Sequence, residues 1–386
     1  MKSGITIICA DVSINCLSRA LTLAEILADN VCVQITGFCR EGNIWPPARS
    51  SKIQIRALAY GWPHHWLRAR QVLREFIDSS RIIICKPRLT SMGLALLAGC
   101  DPTRVVLDIN DWELGLALQS NRIDGFIRRS DLMRNLWSLN SPLLCQYIES
   151  RIHQFPHRLV NNCWLQNRYG GQLIYDVRDT DRFDPEKFDK FRIRAELGLD
   201  NRPWVIFAGT ARIHKGVSDL ISALGKTGGP RAPGLLLCGD DYCHDAINQL
   251  ATIARAKLGN ARFRHIEQYD RLNIPYYLAA ADLACIPSKL TTASVGQVPT
   301  KLFEAMAMGL PIIATQVCDM PDLVRDIGKS VPPDDPAALA EAIESLVAQP
   351  DLCRELGVQA RAIAVNEFSY HAARPVLLKL MNSITV

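Results

Sequence analysis

Two successive sets of short apolar runs, each followed by a polar loop and an amphipathic helix pattern, constrain this chain more than any other feature. The first set opens with residues 5–10 (ITIICA), a polar turn over 11–15, a helix pattern through Leu21, Ala24, Ile26 and Leu27, and a second apolar run over 31–37. Further strand patterns follow at 82–85, 105–109 and 159–161. The rhythm restarts at Trp204, with strand patterns at 205–208, 235–238 and 283–286. Runs this apolar suit strands covered on both faces, and parallel strands need helical crossovers, so the alternation predicts an α/β chain of doubly wound sheets. A length of 386 residues exceeds one ordinary core and suggests two domains. The charged, turn-rich stretch 176–190 is where the chain passes from one to the other, with domains expected at 1–185 and 186–365.

Composition narrows the class of partner. A net charge of +5 is small for this length and gives no support to a nucleic-acid partner. Thirteen cysteines are scattered, odd in number and never spaced as Cys-x-x-Cys. Several stand in apolar runs, which fits a reduced, cytoplasmic setting. Cys238, Cys243 and His244 form half of a metal site with no second half, so no metal site is expected. No run approaches the roughly 18 apolar residues of a membrane span, and the six-residue apolar run at the start is too short for a signal peptide.

Ligands collect at the carboxyl ends of strands in such folds, so the polar residues there are the first candidates. Arg19 stands near the first loop, where no GxGxxG fingerprint occurs. Lys86 and Arg88 end one strand pattern, and Asn110, Asp111 and Glu113 end the next, which makes them candidates for one pocket. Strand-end caps and turns are the alternative. Residues 42–51 and the aromatic stretch 62–66 read as surface. The helix pattern through Ala69, Val72, Leu73, Phe76 and Ile77 carries Arg68, Arg70 and Arg74 on its other side, a face suited to peripheral contact with an anionic membrane or simply to solvent.

The second half holds sharper signals. Arg212 and Lys215 sit where the loop 209–214 opens a helix, and cations beside a helix N-terminus favour an anion such as phosphate as third party. Residues 296–315 (GQVPTKLFEAMAMGLPIIAT) read as a loop, a short helix started by Pro299 and Thr300, a stop at Gly309 and a buried strand. Glu304 lies amid Leu302, Phe303, Ala305, Met306, Ala307 and Met308, where a carboxylate costs several kcal/mol unless paired. Lys301, three residues earlier, is one partner; a ligand offering hydroxyl donors is the other.

The segments 209–216 (GTARIHKG), 281–288 (ADLACIPS) and 301–311 (KLFEAMAMGLP), in this order, resemble the retaining glycosyltransferases of family 4, with a good match over about 204–325. More weakly, 105–113 resembles a strand and loop of that family's acceptor domain and 179–185 its domain junction. The resemblance implies a GT-B architecture of two Rossmann-like domains facing across a cleft, with residues 366–386 forming a C-terminal helix that returns to the first. It implies a nucleoside diphosphate sugar as co-substrate, no other cofactor and no metal. It places the donor diphosphate on Lys215 and Arg212, with Gly209 and Thr210 in the same loop, and the donor ribose on Glu304. Gly296, Gln297, Val298, Thr300 and Lys301 complete the donor segment, while Asn110, Asp111 and Arg19 stand on the acceptor side. Two positions depart from the family: Gly296 stands where a glutamate that meets the donor sugar is usual, and Asn110 replaces a histidine. An amide orients a hydroxyl but is no general base.

The expected activity is therefore transfer of a sugar, with retention, from a nucleoside diphosphate donor to a hydroxyl on a glycan, a lipid-linked or a small-molecule acceptor. A GT-B protein that binds nucleotide-sugar or glycan without turnover is the alternative, prompted by Gly296 and Asn110. A sugar-nucleotide 2-epimerase is a third reading that lacks an evident acid–base pair.

Overall fold

The computed structural model describes residues 4–61, 64–77, 80–120, 139–229, 231–239, 244–266 and 271–384. Residues 62, 63 and 121–138, together with Cys243 of the half metal site, lie outside the described residues. The chain divides into two units, Met1–Asp176 with Tyr370–Val386, and Val177–Ser369.

The first unit is built on seven parallel strands, β1 (Gly4–Cys9), β2 (Val33–Cys39), β3 (Gln54–Ala59), β4 (Ser80–Cys85), β5 (Val105–Ile109), β6 (His157–Val160) and β7 (Gln172–Leu173), in the order β3-β2-β1-β4-β5-β6-β7. The chain lays down β1, moves outward through β2 and β3, then returns to pair β4 on the other side of β1. The β1/β4 junction is therefore the topological switch point, where open α/β sheets leave a crevice beyond the strand ends. Registers align Cys9 with Cys85 and Cys85 with Asp108, so the loops after β1, β4 and β5 emerge side by side. Ile8, Phe38, Ile84, Leu107 and Phe155 fill one face of the sheet.

Strand β3 had no clear signal in the sequence, because it is an edge strand whose residues are mostly exposed and only partly apolar. Trp66 corrects the surface reading of its stretch: it is buried in the helix His64–Ile77, with its ring 5.1 Å from that of Phe38. On the same helix Arg70 and Arg74 donate through Nε to the carbonyls of Leu97 and Ala98, which satisfies the open C-terminus of the helix Leu94–Leu97. The helix Tyr370–Asn382 packs on Leu17–Ala28 within this unit, where the Tyr370 hydroxyl donates to Glu25 and Arg374 donates to the Ile26 carbonyl.

The second unit has six parallel strands, β8 (Trp204–Ala208), β9 (Gly234–Cys238), β10 (Phe263–Ile266), β11 (Leu283–Ile286), β12 (Ile312–Thr315) and β13 (Gly328–Val331), in the order β10-β9-β8-β11-β12-β13. Its switch point is the β8/β11 junction. The chain enters this unit at Val177, near the start of the charged stretch, because Arg178 already bonds there: its amide donates to the Phe368 carbonyl and its side chain reaches Glu304. No helix among the described residues is long and apolar enough to cross a membrane.

Candidate nucleotide-sugar site

The loop after β8 is held by close backbone approaches that only glycine permits. Gly209 has φ +120° and donates its N–H to the Cys238 carbonyl, and a Cβ on Gly239 would lie 2.3 Å from the Gly209 oxygen. The turn Ile213–Lys215 then leads to Gly216, at φ +66°, whose missing Cβ would sit 1.7 Å from the Pro287 carbonyl oxygen. The loops after β8 and β11 are thereby pressed together at the switch point. A further bond ties them, from the Lys289 amide to the His214 carbonyl, while the Lys289 ammonium bridges Asp219 and Asp334.

This framework brings together most of the donor residues expected from the sequence. Lys215 Nζ donates to Gln297 Oε1 at 3.3 Å. Gln297 is delivered by a tight turn in which the Thr291 amide donates to Ser294 Oγ and the Gln297 amide to the Ser294 carbonyl. Lys301 Nζ lies 3.4 Å from the centroid of the Phe207 ring and beside Gly209, so its charge is presented at the end of β8. Arg212 is exposed in the same loop, next to Thr210, whose carbonyl accepts from the Arg212 amide. Gly296 and Val298 are buried and give the segment its packing. Thr300 stands before the helix Lys301–Ala307 in helical conformation and makes no side-chain cap bond.

Glu304 is the correction in this segment. Its carboxylate takes Arg178 as partner, with Arg178 Nε 3.3 Å from Oε1, while Lys301 turns to the Phe207 ring. The reason is depth: Glu304 is buried, and Arg178 is itself buried and anchored by donation to the Val177 carbonyl. The second oxygen, Oε2, has no hydrogen-bond donor among the described residues. Glu304 therefore combines a structural ion pair with an open acceptor, and the two readings of this carboxylate are compatible.

The residues expected on the acceptor side separate. Arg19 is not available to a ligand: it is buried, and its five N–H groups are spent on Asp108, Asp176 and the carbonyls of Ile174 and Tyr175. Burial opposes its charge, but Asp108 and Asp176 outweigh that and hold it protonated. The strand ends of β4 and β5 do converge. Lys86 pairs with Asp111 and lies 3.5 Å from Glu113 Oε1, and Arg88 bonds Glu113 Oε2 at 2.7 Å. Burial again disfavours the Lys86 charge, and Asp111 and Glu113 more than compensate, raising its pKa above the ordinary lysine value. Asn110 is half-buried with Oδ1 unbonded.

Two residues escaped the sequence reading. Asp108 interrupts the apolar run of β5, a charge in a strand core that demanded a cation and could have pointed to Arg19. Arg178 carried no signal beyond being one more arginine in a charged stretch.

Comparison with known proteins places the second unit. Residues 189–363 match the family model of glycosyl transferases group 1. The chain is 34% identical over 200 residues to the alpha-maltose-1-phosphate synthase of Mycolicibacterium smegmatis, covering 48% of this chain and 49% of that protein. It is 27% identical over 210 residues to a GDP-mannose-dependent alpha-(1-6)-phosphatidylinositol monomannoside mannosyltransferase of the same organism, covering 53% and 54%. The chain thus spans about half the length of the curated relatives it matches. Among solved structures, Anabaena HepE in complex with UDP and glucose superposes with a TM-score of 0.76 at 17% identity, over 99% of this chain and 100% of that one. The fold is that of GT-B glycosyltransferases, two parallel-sheet Rossmann-like units.

Proposed function

We propose that the protein transfers a hexose from a nucleoside diphosphate sugar to a hydroxyl acceptor, with retention of anomeric configuration and without a metal or any further cofactor. The observation that carries this is the grouping at one switch point of Lys215, Arg212 and Lys301 with a buried carboxylate, Glu304, that keeps one oxygen open. It lies inside the segment matched by the glycosyl transferases group 1 model. Breaking a sugar–phosphate bond loads negative charge onto the departing diphosphate. Cations fixed by an amide and an aromatic face stabilise that charge without reorganising, and one such donor is typically worth about 10²–10³ in rate. Glu304 Oε2 accepts from a ribose hydroxyl. Anabaena HepE is in complex with UDP and glucose and the mannosyltransferase relative is GDP-mannose-dependent, so both bases belong in the donor panel.

A second reading, a protein that binds the nucleotide-sugar without turnover, is favoured by Gly296 and by Asn110, neither of which supplies a carboxylate or an imidazole. The test is a screen of UDP- and GDP-sugars, with and without EDTA, following nucleotide release and product mass. Release that rises with an acceptor, persists in EDTA and falls at least about 100-fold in Lys215→Ala supports the transferase. Nucleotide binding without turnover toward any donor and acceptor pair overturns it.

A further inference from the structure

The edge of the second sheet holds a charge cluster that the donor reading leaves unused. Lys289, beyond β11, extends its ammonium between two carboxylates, 2.8 Å from Asp219 Oδ2 and 2.6 Å from Asp334 Oδ1. Asp219 lies in the first turn of the helix Val217–Lys226, which follows β8, and Asp334 follows β13. One side chain thus joins the segments after three strands. Its backbone is fixed independently, since the Lys289 amide donates to the carbonyl of His214, the residue before Lys215. Asp334 is placed by its neighbour Asp335, which caps the helix Pro336–Val347 by accepting from the amides of Ala337 and Ala338. Burial disfavours the Lys289 charge, and hydrogen bonds to Asp219 and Asp334 outweigh that and raise its pKa above the ordinary lysine value.

Asp219 poses the problem that this bridge answers. The N-terminus of a helix carries a partial positive charge of about half a unit, available to a carboxylate in the first turn or to an anion beyond it. Asp219 and a diphosphate held by Lys215 therefore draw on the same field and repel each other. Ser218 donates its hydroxyl to Asp219 Oδ1 at 3.3 Å but brings no charge. Lys289 brings one, and the pair is sheltered, at 23% and 17% side-chain exposure, so water and salt screen it incompletely.

We infer that Lys289 is a positioning residue for donor binding: it neutralises Asp219 at the head of the helix Val217–Lys226, so that this carboxylate does not oppose the diphosphate at Lys215. The inference rests on the donor reading of this loop and concerns affinity for the diphosphate, not turnover. Asp334 is the second anchor, which keeps the ammonium in place when Asp219 alone would leave it one contact.

The test uses the full chain with UDP, GDP and the uncharged nucleosides uridine and guanosine, by calorimetry and saturation-transfer NMR. For whichever nucleotide the wild type binds, Lys289→Met should weaken binding about tenfold at about 50 mM salt and less than about threefold at about 500 mM, while the matching nucleoside changes less than about twofold. Lys289→Arg keeps the charge and should bind like wild type. Asp219→Asn keeps the shape and leaves Lys289 its bond to Asp334, so it should bind the nucleotide at least as tightly as wild type. Added to Lys289→Met, it should return affinity to within about threefold. Urea midpoints check folding, and Asp219→Asn carries the test if Lys289→Met does not fold. A bridge that serves only as a structural clip gives the reverse pattern: Asp219→Asn weakens the nucleotide, nucleoside and nucleotide fall together in Lys289→Met, and the double variant recovers nothing. Any of these results, or unchanged nucleotide affinity in Lys289→Met, overturns the inference. The expected shifts without turnover would instead refute the transferase and leave the role of Lys289 standing, and binding of neither nucleotide would refute the donor reading and this inference with it.

Discussion

Glu304→Gln separates the two duties assigned to one carboxylate. The Arg178 and Glu304 side chains are 10% and 12% exposed, so the pair is nearly out of water. Removing one member of a buried pair outright costs about 3–5 kcal/mol. Glutamine keeps the volume and an acceptor oxygen, and Arg178 keeps its bond to the Val177 carbonyl. The expected loss of stability is therefore about 1–2 kcal/mol, the gap between a charge-assisted and a neutral hydrogen bond. The ribose contact loses the same charge, which raises the Kd for UDP about tenfold. Arg178→Met serves as the control. It leaves Glu304 buried without a counter-charge and costs more stability, about 3 kcal/mol, yet it spares the ribose-facing oxygen and weakens UDP less. Urea unfolding ranks the variants one way and calorimetric titration with UDP ranks them the other. A dideoxyribose analogue of UDP, with no hydroxyl to donate, should bind wild type and Glu304→Gln alike. If the UDP affinity simply follows stability across the variants, or if the analogue shows the same tenfold penalty, Glu304 is structural and the ribose assignment fails.

Gly216→Ala is expected to lose more than about 3 kcal/mol and with it nucleotide binding: the left-handed conformation alone costs about 1–2 kcal/mol, and the added carbon meets the backbone oxygen of Pro287 rather than a side chain that could move. Urea midpoints and UDP titration measure both; near-native stability would mean that the two loops are not pressed together. Arg19→Met strands Asp108 in the sheet and should cost about 3–5 kcal/mol, with Asp108→Leu added to it recovering part of the loss, since the carbonyls of Ile174 and Tyr175 stay without a donor. Failure of the double variant to recover would deny the pair its role. Burial pushes the Cys9 and Cys100 thiols from 9.0 up to about 12 and Cys145 up to about 11. Unfolded thiols ionise first as pH rises, so stability present below pH 9 is lost between there and 12, by up to about 1.4 kcal/mol per pH unit for each thiol. Urea midpoints at pH 8 and 10 test this, and a flat profile would contradict it.

Legibility in the sequence followed burial. Strands covered on both faces, such as β5 and β11, are readable to the residue, β11 because its run is continuously apolar and β5 because four of its five residues are, with Asp108 the exception. Edge strands β3 and β13 are not, since half their residues face solvent and nothing in the local pattern excludes a loop. The segments 209–216 and 296–315 stood out because their oddities are local: two cations in a glycine-bounded loop, and a carboxylate inside an apolar helix. Partners did not. Glu304 found Arg178, distant in sequence, instead of Lys301 three residues away, and Arg19 found Asp108. A buried charge announces that it needs a partner, but only the fold decides which cation reaches it. Helical spacing favoured the near one for Glu304, and the structure turned that lysine onto an aromatic face.

The same fold plan, executed twice, yields two opposite electrostatic outcomes at equivalent places. In the second unit the ammonium of Lys215 meets the Gln297 amide and that of Lys301 the Phe207 ring. In the first unit Lys86 and Arg88 meet carboxylates, and the buried atoms left without a hydrogen bond there are Asp11 Oδ2, Asn110 Oδ1, Glu113 Oε1 and Arg88 Nε. The strand order puts both clusters at a switch point, so the difference between them lies in the neighbours each cation meets. Exchanging a neighbour tests the charge directly: Gln297→Glu gives Lys215 a carboxylate about 3.3 Å from its ammonium and should weaken UDP by at least about tenfold. Equal UDP affinity in that variant would show that the charge at Lys215 is not what holds the diphosphate.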